Sequence, residues 1–185
     1  MSISKKIIDS LSDKILVKKA QRADKDAYGK LYMKYLDQIY RYIYFRVNMN
    51  RSESEDLAEI VFIRAWNKIR QGSFKNDNFR AFIYRIARNI VIDSYRKNNK
   101  TARLEEDVPS LETPEDTYLQ KSGQKELLLA IQKLFDEQKQ VVTLKFIDGA
   151  NNEEIAQIMN KSNQAVRALQ HRGLKQLKIL LETKN

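Results

Sequence analysis

Apolar residues recur at intervals of three and four along most of this chain, which is the spacing of one face of an α-helix. In the first hundred residues the pattern is clearest over 26–47, 57–66 and 79–98. No long segment alternates with a period of two, and the five glycines and two prolines leave few helix breakers. The pattern predicts an all-α fold.

Polar residues between these segments predict where the helices begin and end. The polar patch 48–52 is expected to end the first helix. Ser52 and Glu55 have the spacing of a capping box that begins the second helix. A polar loop ending near Asn78 then precedes the third helix, which is predicted to begin at Phe79.

A stretch with little periodicity contains both prolines of the chain. We interpret residues 99–112 as a flexible linker between two small helical domains, 1–98 and 113–185. Thr113 before Pro114 is a good helix start, because a hydroxyl can cap a helix and proline is tolerated at its first position. The second domain is therefore predicted to begin with a helix at its first residues.

The end of the chain has the pattern of a helix-turn-helix. Helices are predicted over 138–146, over 152–159 and from Gln164 to about Leu181, and only residues 160–163 separate the last two. In this motif the second helix enters the major groove of DNA. The candidate DNA-contacting residues on its non-core side are Gln164, Arg167, Ala168, His171, Arg172 and Lys175.

The charge of the chain favours a polyanionic partner. The net charge of +10 and the isoelectric point near 9.6 suit nucleic acid or an anionic membrane surface. Residues 1–98 carry 21 Lys/Arg against 11 Asp/Glu, whereas residues 99–112 carry 2 against 4. Between Phe74 and Lys100, aromatic and basic residues alternate, a combination that can hold phosphates and stack on unpaired bases. Phe82 lies at helical spacing from apolar neighbours, which favours a place in the core.

Other classes of site have little support in the sequence. There is no cysteine and only one histidine, so we expect no disulfide, no metal centre and no cofactor. No paired carboxylates have metal-binding spacing, which argues against catalytic residues and a small-molecule substrate. No apolar run resembles a signal peptide or spans a bilayer, so a cytoplasmic protein without membrane insertion is expected.

Three segments together resemble the extracytoplasmic-function (ECF) sigma factors of bacterial RNA polymerase. Residues 54–66, which read SEDLAEIVFIRAW, are similar to the polymerase-binding helix of that family. Residues 78–89, NFRAFIYRIARN, resemble its segment for melting and reading the minus-ten promoter element. Residues 148–156 and 166–172 are similar to its minus-thirty-five reader. Three matches in the right order are far more specific than a helix-turn-helix alone.

The resemblance implies a sigma factor without enzymatic activity, which binds core RNA polymerase and promoter DNA and assists DNA opening. It also implies an anti-sigma factor as a partner, and it would thread the linker through the cleft and RNA exit channel of the polymerase. The implied polymerase contacts are Asp56, Glu59, Phe62, Arg64 and Trp66. The implied minus-ten contacts are Lys75, Asn76, Asp77, Asn78, Arg80, Tyr84, Arg85, Arg88, Asn89, Arg96 and Lys97. The six residues of the second helix of the helix-turn-helix become the implied minus-thirty-five contacts.

The chain departs from the family pattern at a few positions. Glu59 and Ile60 stand where the family usually has a Gln-Glu pair, which affects the polar contacts with polymerase. Trp66 ends an apolar stripe, so packing in the core is the simpler interpretation of that residue. Asp56 and Glu59 are by default an exposed charged face, and only the resemblance makes them polymerase contacts.

Three other functions are also compatible with parts of the sequence. A DNA-binding regulator could use the helix-turn-helix alone, but the first hundred residues would then have no role. A nuclease would need acidic metal ligands or a general base. A membrane-surface protein would need a broad apolar face left uncovered on its basic helices.

Overall fold

The computed structural model describes residues 3–75, 78–101 and 122–183. The predicted all-α fold is confirmed, because every regular element in these residues is helical. The helices are α1 (Ile3–Gln21), α2 (Lys25–Arg46), α3 (Arg51–Arg70), α4 (Phe79–Thr101), α5 (Ser122–Gln132), α6 (Asp136–Val142), α7 (Asn152–Met159) and α8 (Asn163–Glu182), with a π-helical segment at Thr143–Ile147.

Helices α2, α3 and α4 pack their apolar stripes together in the first half of the chain. Leu31, Ile39, Val61 and Ile83 are completely buried in this core. Aromatic pairs bridge the helices: the rings of Tyr32 and Phe62 lie 4.7 Å apart, and those of Tyr35 and Phe79 lie 5.3 Å apart, each pair edge to face. The three predicted helices of the first half are therefore present.

Helix α1 has no counterpart in the sequence prediction. It packs against α2 through the buried residues Val17 and Ala20. Asp13 is also buried, and its carboxylate accepts hydrogen bonds from the Lys34 ammonium at 2.7 Å and the Tyr35 hydroxyl at 2.5 Å. In this segment charged residues stand between the apolar positions, so the spacing of apolar residues alone did not predict a helix.

The predicted Ser52–Glu55 capping box is wrong. The residue that caps α3 is Asn50, whose side-chain oxygen accepts from the Glu53 amide at 3.0 Å. Asn48 and Met49 have positive φ angles of 52° and 62°, which turn the chain tightly enough for α3 to begin two residues earlier. Asparagine is as good a cap as serine, so the shift costs the helix nothing.

The helix-turn-helix has nearly the predicted boundaries. A capping box joins Asn151 and Glu154, with both hydrogen bonds at 2.8 Å, and begins α7. Asn160, in the left-handed conformation, ends α7, and the Ser162 hydroxyl caps α8. The predicted helix 138–146 is instead two pieces, α6 and the π-helical segment, because after Val142 the backbone hydrogen bonds span five residues, as from the Asp148 amide to the Thr143 carbonyl, instead of four.

Helix α8 lies very close to α6 at a glycine. A Cβ atom on Gly173 would lie 3.1 Å from Val142 Cγ2 and 3.5 Å from Gln138 Cβ. Ala130, Ile131, Leu134 and Leu177 form a small core next to this contact with Val142. The second half therefore has its own packing around α8.

The predicted linker and the predicted helix start at Thr113–Pro114 lie mostly outside the described residues. Helix α4 continues to Thr101, three residues beyond the predicted domain end, and the next described helix begins at Ser122. The division into 1–98, 99–112 and 113–185 stays a prediction.

The two halves share a hydrophobic core in the closed arrangement of this structure. Val141, Leu144 and Ile155 from the second half are completely buried in the same cluster as α2 and α4. We call this contact region between the two halves the seam. Beneath it, the rings of Tyr42 and Tyr84 pack edge to face at 5.2 Å. In the described part of the chain, no helix is long and apolar enough to cross a membrane.

Candidate nucleic-acid and partner interfaces

Helix α8 presents all six predicted DNA-contacting residues on one exposed face. The opposite face is buried and consists of Val166, Leu169, Gly173 and Leu177. Positions spaced by three, four and seven share one side of a helix, so the burial of this stripe orients the others outward. The exposed six are Gln164, Arg167, Ala168, His171, Arg172 and Lys175. The structure therefore brings these residues together as one surface.

The predicted minus-ten residues divide into three groups. Tyr84 is fully buried, and Asn78, Arg80, Arg85 and Arg88 are partly buried. The exposed group is Lys75, Asn89, Arg96 and Lys97. Asn76 and Asp77 lie outside the described residues.

Two of these residues have structural contacts of their own. The side chain of Asn78 accepts a hydrogen bond from the Ala81 amide at 3.1 Å and so caps α4. Arg80 donates to the Asp148 carbonyl at 2.5 Å, and its Nη1 lies 3.3 Å from a carboxylate oxygen of Glu154. Both Asp148 and Glu154 belong to the helix-turn-helix half, so Arg80 faces that half rather than solvent.

Phe74, in the loop before α4, forms an aromatic cluster with Phe79 and Phe82 in the first turns of α4. The rings of Phe74 and Phe82 lie 4.8 Å apart, and those of Phe79 and Phe82 lie 6.0 Å apart. Phe79 and Phe82 are buried, whereas Phe74 is partly exposed. Their burial agrees with the interpretation of Phe82 as a core residue.

The outer face of α3 carries three of the five predicted polymerase contacts. Asp56, Glu59 and Arg64 are exposed there. Phe62 is buried, and Trp66 packs on Tyr28 with a ring distance of 4.9 Å. Phe62 and Trp66 therefore pack on the core side of α3, beneath the exposed face.

Two apolar residues on this face were missed by the sequence analysis. Ile60 is 38% exposed and Ile63 is 51% exposed, and both lie at helical spacing from Asp56 and Glu59. A groove of about 410 Å³ adjoins Ile63, lined by residues of α2 and α3 that include Tyr28, Tyr32 and Trp66. The departure at Ile60 from the family pattern was the signal that could have identified this apolar strip.

The seam between the halves contains several buried polar groups. Arg46 is completely buried, and its guanidinium lies 2.8 Å from the Asp136 carboxylate. Gln140 donates to the Tyr42 hydroxyl at 2.8 Å. Each pair joins the first half to the second, so separating the halves breaks both contacts.

Burial changes the proton affinities of groups at the seam. It raises the pKa of the Asp148 carboxyl to about 7, although Arg41 and Arg80 nearby partly oppose this change. It also raises the pKa of Tyr42 to about 12 and raises the pKa of Tyr84 above its usual range. Both hydroxyls therefore keep their protons near neutral pH, and Asp148 is the group of this set that titrates there.

Two known families match the two halves of the chain. Residues 31–101 match sigma-70 region 2, and residues 124–177 match sigma-70 region 4. The first match contains the α3 face and α4, and the second contains the helix-turn-helix.

Named ECF RNA polymerase sigma factors are similar along most of the chain. BldN of Streptomyces coelicolor is 36% identical over 173 residues, which are 90% of this chain and 64% of BldN. SigW of Bacillus subtilis is 31% identical over 175 residues, which are 88% of this chain and 92% of SigW. This chain thus spans slightly less than two thirds of BldN but nearly all of SigW.

Solved structures share the fold. CnrH, in a complex with the cytosolic domain of CnrY, superposes with a TM-score of 0.72 at 20% identity, over 94% of this chain and 99% of CnrH. RpoE of Bartonella quintana, in a complex with the anti-sigma factor NepR, gives 0.70 at 18% identity, over 85% of this chain and 98% of RpoE. At these identities the likeness concerns the arrangement of helices.

Proposed function

This chain belongs to the ECF family of RNA polymerase sigma factors, and from that premise we propose that it directs core polymerase to promoters by binding the minus-ten and minus-thirty-five elements. The observation that carries the proposal is the presence of region 2 and region 4 in one chain, in that order. A regulator that used only the helix-turn-helix would leave region 2 without a role. The chain acts as a binding and DNA-opening subunit, without catalysis of its own.

The outer face of α3 is the proposed contact with core polymerase. Asp56, Glu59, Ile60 and Ile63 lie on this face, so an apolar strip runs beside two acids. Burial of apolar surface is worth about 25 cal/mol per Å², while the acids set orientation and specificity. Ile60 replaces a polar contact of the usual family pattern with an apolar one.

The exposed face of α8 is the proposed reader of the minus-thirty-five element. Arg167 and Arg172 can reach guanine edges or phosphates, and the exposed Gln164 is at the end of the helix that enters the groove. The exposed residues Arg96 and Lys97 of α4 offer phosphate contacts beside the minus-ten element. Arg80 and Tyr84 reach DNA only after the halves separate, because α7 and its preceding loop cover them.

An anti-sigma factor is a further proposed partner. RpoE of Bartonella quintana was solved with the anti-sigma factor NepR. The groove between α2 and α3 offers aromatic and aliphatic side chains against which the apolar face of an amphipathic helix can pack. Occupation of that groove would compete with polymerase for Ile63.

Substitution at Ile63 tests the polymerase contact. We expect Ile63→Asp to weaken binding to purified core polymerase by at least tenfold, measured by fluorescence anisotropy of the labelled chain, because it places a charge in an apolar contact. Met33→Glu is the matched control, since Met33 is 73% exposed on α2 and lies outside the groove. Equal affinities for the two variants would refute this contact, and the absence of any binding by the unsubstituted chain would refute the proposed function.

A further inference from the structure

Helix α4 is covered by the helix-turn-helix half along the side that carries Arg80 and Tyr84. The Arg80 guanidinium donates to the Asp148 carbonyl at 2.5 Å and lies 3.3 Å from Glu154 Oε2. It also lies over the Tyr84 ring at 5.6 Å. The side chains of Arg80 and Glu154 are only 17% and 18% exposed, so this ion pair is largely shielded from water.

The contact to Arg80 has the chemistry of a phosphate contact. A guanidinium binds carboxylate and phosphate oxygens with the same forked geometry. Glu154 therefore occupies the place on Arg80 that a DNA phosphate would take. The Glu154 carboxylate also accepts from the Asn151 amide in the capping box of α7, which fixes its position.

The two DNA-reading surfaces differ sharply in accessibility in this closed form. All six candidate residues of α8 are exposed, whereas Tyr84 is fully buried and Arg80 is mostly buried. The same half of the chain thus presents α8 outward and covers α4 with α7. A promoter could meet the minus-thirty-five reader without reaching the covered part of α4.

We propose that Arg80, Asp148 and Glu154 form an intramolecular latch that closes the free protein over α4 while leaving α8 available. This inference rests on the proposed function for its meaning, but the latch is a property of the chain alone. In the closed form duplex binding through α8 precedes minus-ten binding. Opening exposes Arg80 and Tyr84 together.

Asp148 makes the latch sensitive to pH. Its carboxylate faces Arg41 and Tyr42 of α2 and Arg80 and Tyr84 of α4, and Glu154 faces the same arginine from α7. Burial raises the pKa of Tyr42 and of Tyr84, so both hydroxyls keep their protons between pH 6 and 8. The Asp148 carboxyl, with a pKa of about 7, changes its protonation in that range.

The sign of the pH effect follows from the two states of Asp148. In the closed form burial raises its pKa from 3.8 to about 7, whereas in an open form it is solvated and keeps its ordinary value. Closing therefore takes up a proton and becomes less favourable as pH rises toward 7. Linkage predicts about a tenfold fall in the closing equilibrium constant from pH 6 to pH 8, with little further change above that.

The experiment measures the distance between the halves without polymerase or DNA. The chain has no cysteine, so Asn67→Cys on α3 and Lys133→Cys after α5, both exposed, accept a donor and acceptor dye pair cleanly. Single-molecule energy transfer then gives the closed fraction. We expect one high-transfer population in the unsubstituted chain at pH 6.5, and a decrease in its closing constant of about tenfold at pH 8 compared with pH 6.

Three substitutions separate the contributions of the latch residues. Glu154→Gln removes the charge but keeps the capping box, which accepts glutamine as well as glutamate. It should lower the closing constant at least fivefold. Asp148→Asn mimics the protonated acid and should remove the pH dependence. Arg80→Gln should open the chain like Glu154→Gln, and it serves if the latter variant is unstable by circular dichroism.

Glu137→Gln is the matched control. Glu137 pairs with Lys161 at 2.8 Å within the second half, so this change removes the same charge without touching the seam. It should leave the closing constant unchanged. Equal closed fractions for Glu154→Gln, Arg80→Gln and Glu137→Gln would overturn the latch, as would an open unsubstituted chain. Retained pH dependence in Asp148→Asn would overturn the role of that residue. None of these outcomes depends on binding to polymerase, so the latch and the proposed function fail separately.

Discussion

Arg167 lies in the second turn of α8, on the exposed side of a helix whose other side is anchored by Val166 and Leu169. Its neighbours at the next turn, His171 and Arg172, are exposed as well. Arg172 directs its Nε toward the Ala168 carbonyl at 3.4 Å, a long contact that leaves its terminal nitrogens available. Arg167 is therefore the basic residue closest to the N-terminus of α8, the end that is proposed to enter the major groove.

Removal of the Arg167 side chain should weaken binding to duplex DNA that carries the minus-thirty-five element. We expect Arg167→Ala to lower the affinity of the holoenzyme for this duplex by about 5- to 100-fold, because one arginine contact to a base edge is worth about 1–3 kcal/mol. Electrophoretic mobility shift at fixed salt measures it. Lys133→Ala, an exposed charge outside α8, is the control. A loss that is identical for specific and unrelated duplexes would assign Arg167 to phosphate contact only.

The sequence predicted side-chain accessibility well on α8 and poorly on α4. On both helices, basic residues occupy the polar side of an amphipathic pattern. On α8 that side remains in solvent, whereas on α4 the side with Arg80 and Tyr84 is covered by a segment about seventy residues further along. Periodicity identifies the face of a helix, but it carries no information about a distant segment that covers this face.

Helix α3 begins with a cap that also orients the functional face. Asn50 accepts from the Glu53 amide at 3.0 Å, and the Ser54 hydroxyl donates to the Asn50 carbonyl. Glu53 then accepts from the Ser94 hydroxyl of α4 at 2.6 Å. The first turn of α3 is therefore tied to α4, and the rotation that places Ile60 and Ile63 outward is fixed at this end.

Two neighbouring substitutions test the position of the cap. Asn50→Ala should lower the free energy of unfolding by about 1 kcal/mol, the usual cost of losing an N-cap side chain. Ser52→Ala should change it by less than about 0.5 kcal/mol, because Ser52 is exposed inside the first turn. Urea denaturation followed by circular dichroism measures both. A larger loss for Ser52→Ala than for Asn50→Ala would restore the capping box predicted from the sequence.

At the level of elements, the sequence predicted best where a short polar segment interrupts the helical spacing of apolar residues, as at the boundaries of α7 and the turn after it. In the structure a capping box and an asparagine in the left-handed conformation fix these boundaries. The π-helical segment Thr143–Ile147 and helix α1 could not be predicted in the same way. The first depends on one extra residue in a turn, and the second gains its stability from packing on α2 rather than from its own pattern.

In the whole molecule, the two helical halves are held together by one seam of apolar and polar contacts. Arg46 with Asp136, Tyr42 with Gln140 and Arg80 with Glu154 join residues that are 74 to 98 positions apart in the chain. Such contacts depend on tertiary structure, so composition and periodicity predicted two helical domains but not their closed arrangement. If the proposed minus-ten contacts on α4 are correct, Arg80 and Tyr84 must be uncovered before they bind DNA, and the seam is the part of the molecule that must open.

Run-off transcription with purified core polymerase on a promoter library, with and without this protein, tests most directly whether the chain directs polymerase to promoters. We expect new transcripts that depend on the protein and share two spaced upstream elements. Arg167→Ala and Ile63→Asp should each reduce these transcripts, whereas Met33→Glu should not. If core polymerase gives the same transcripts with and without the protein, and does not co-elute with it, the assignment as a promoter-recognising sigma factor is wrong.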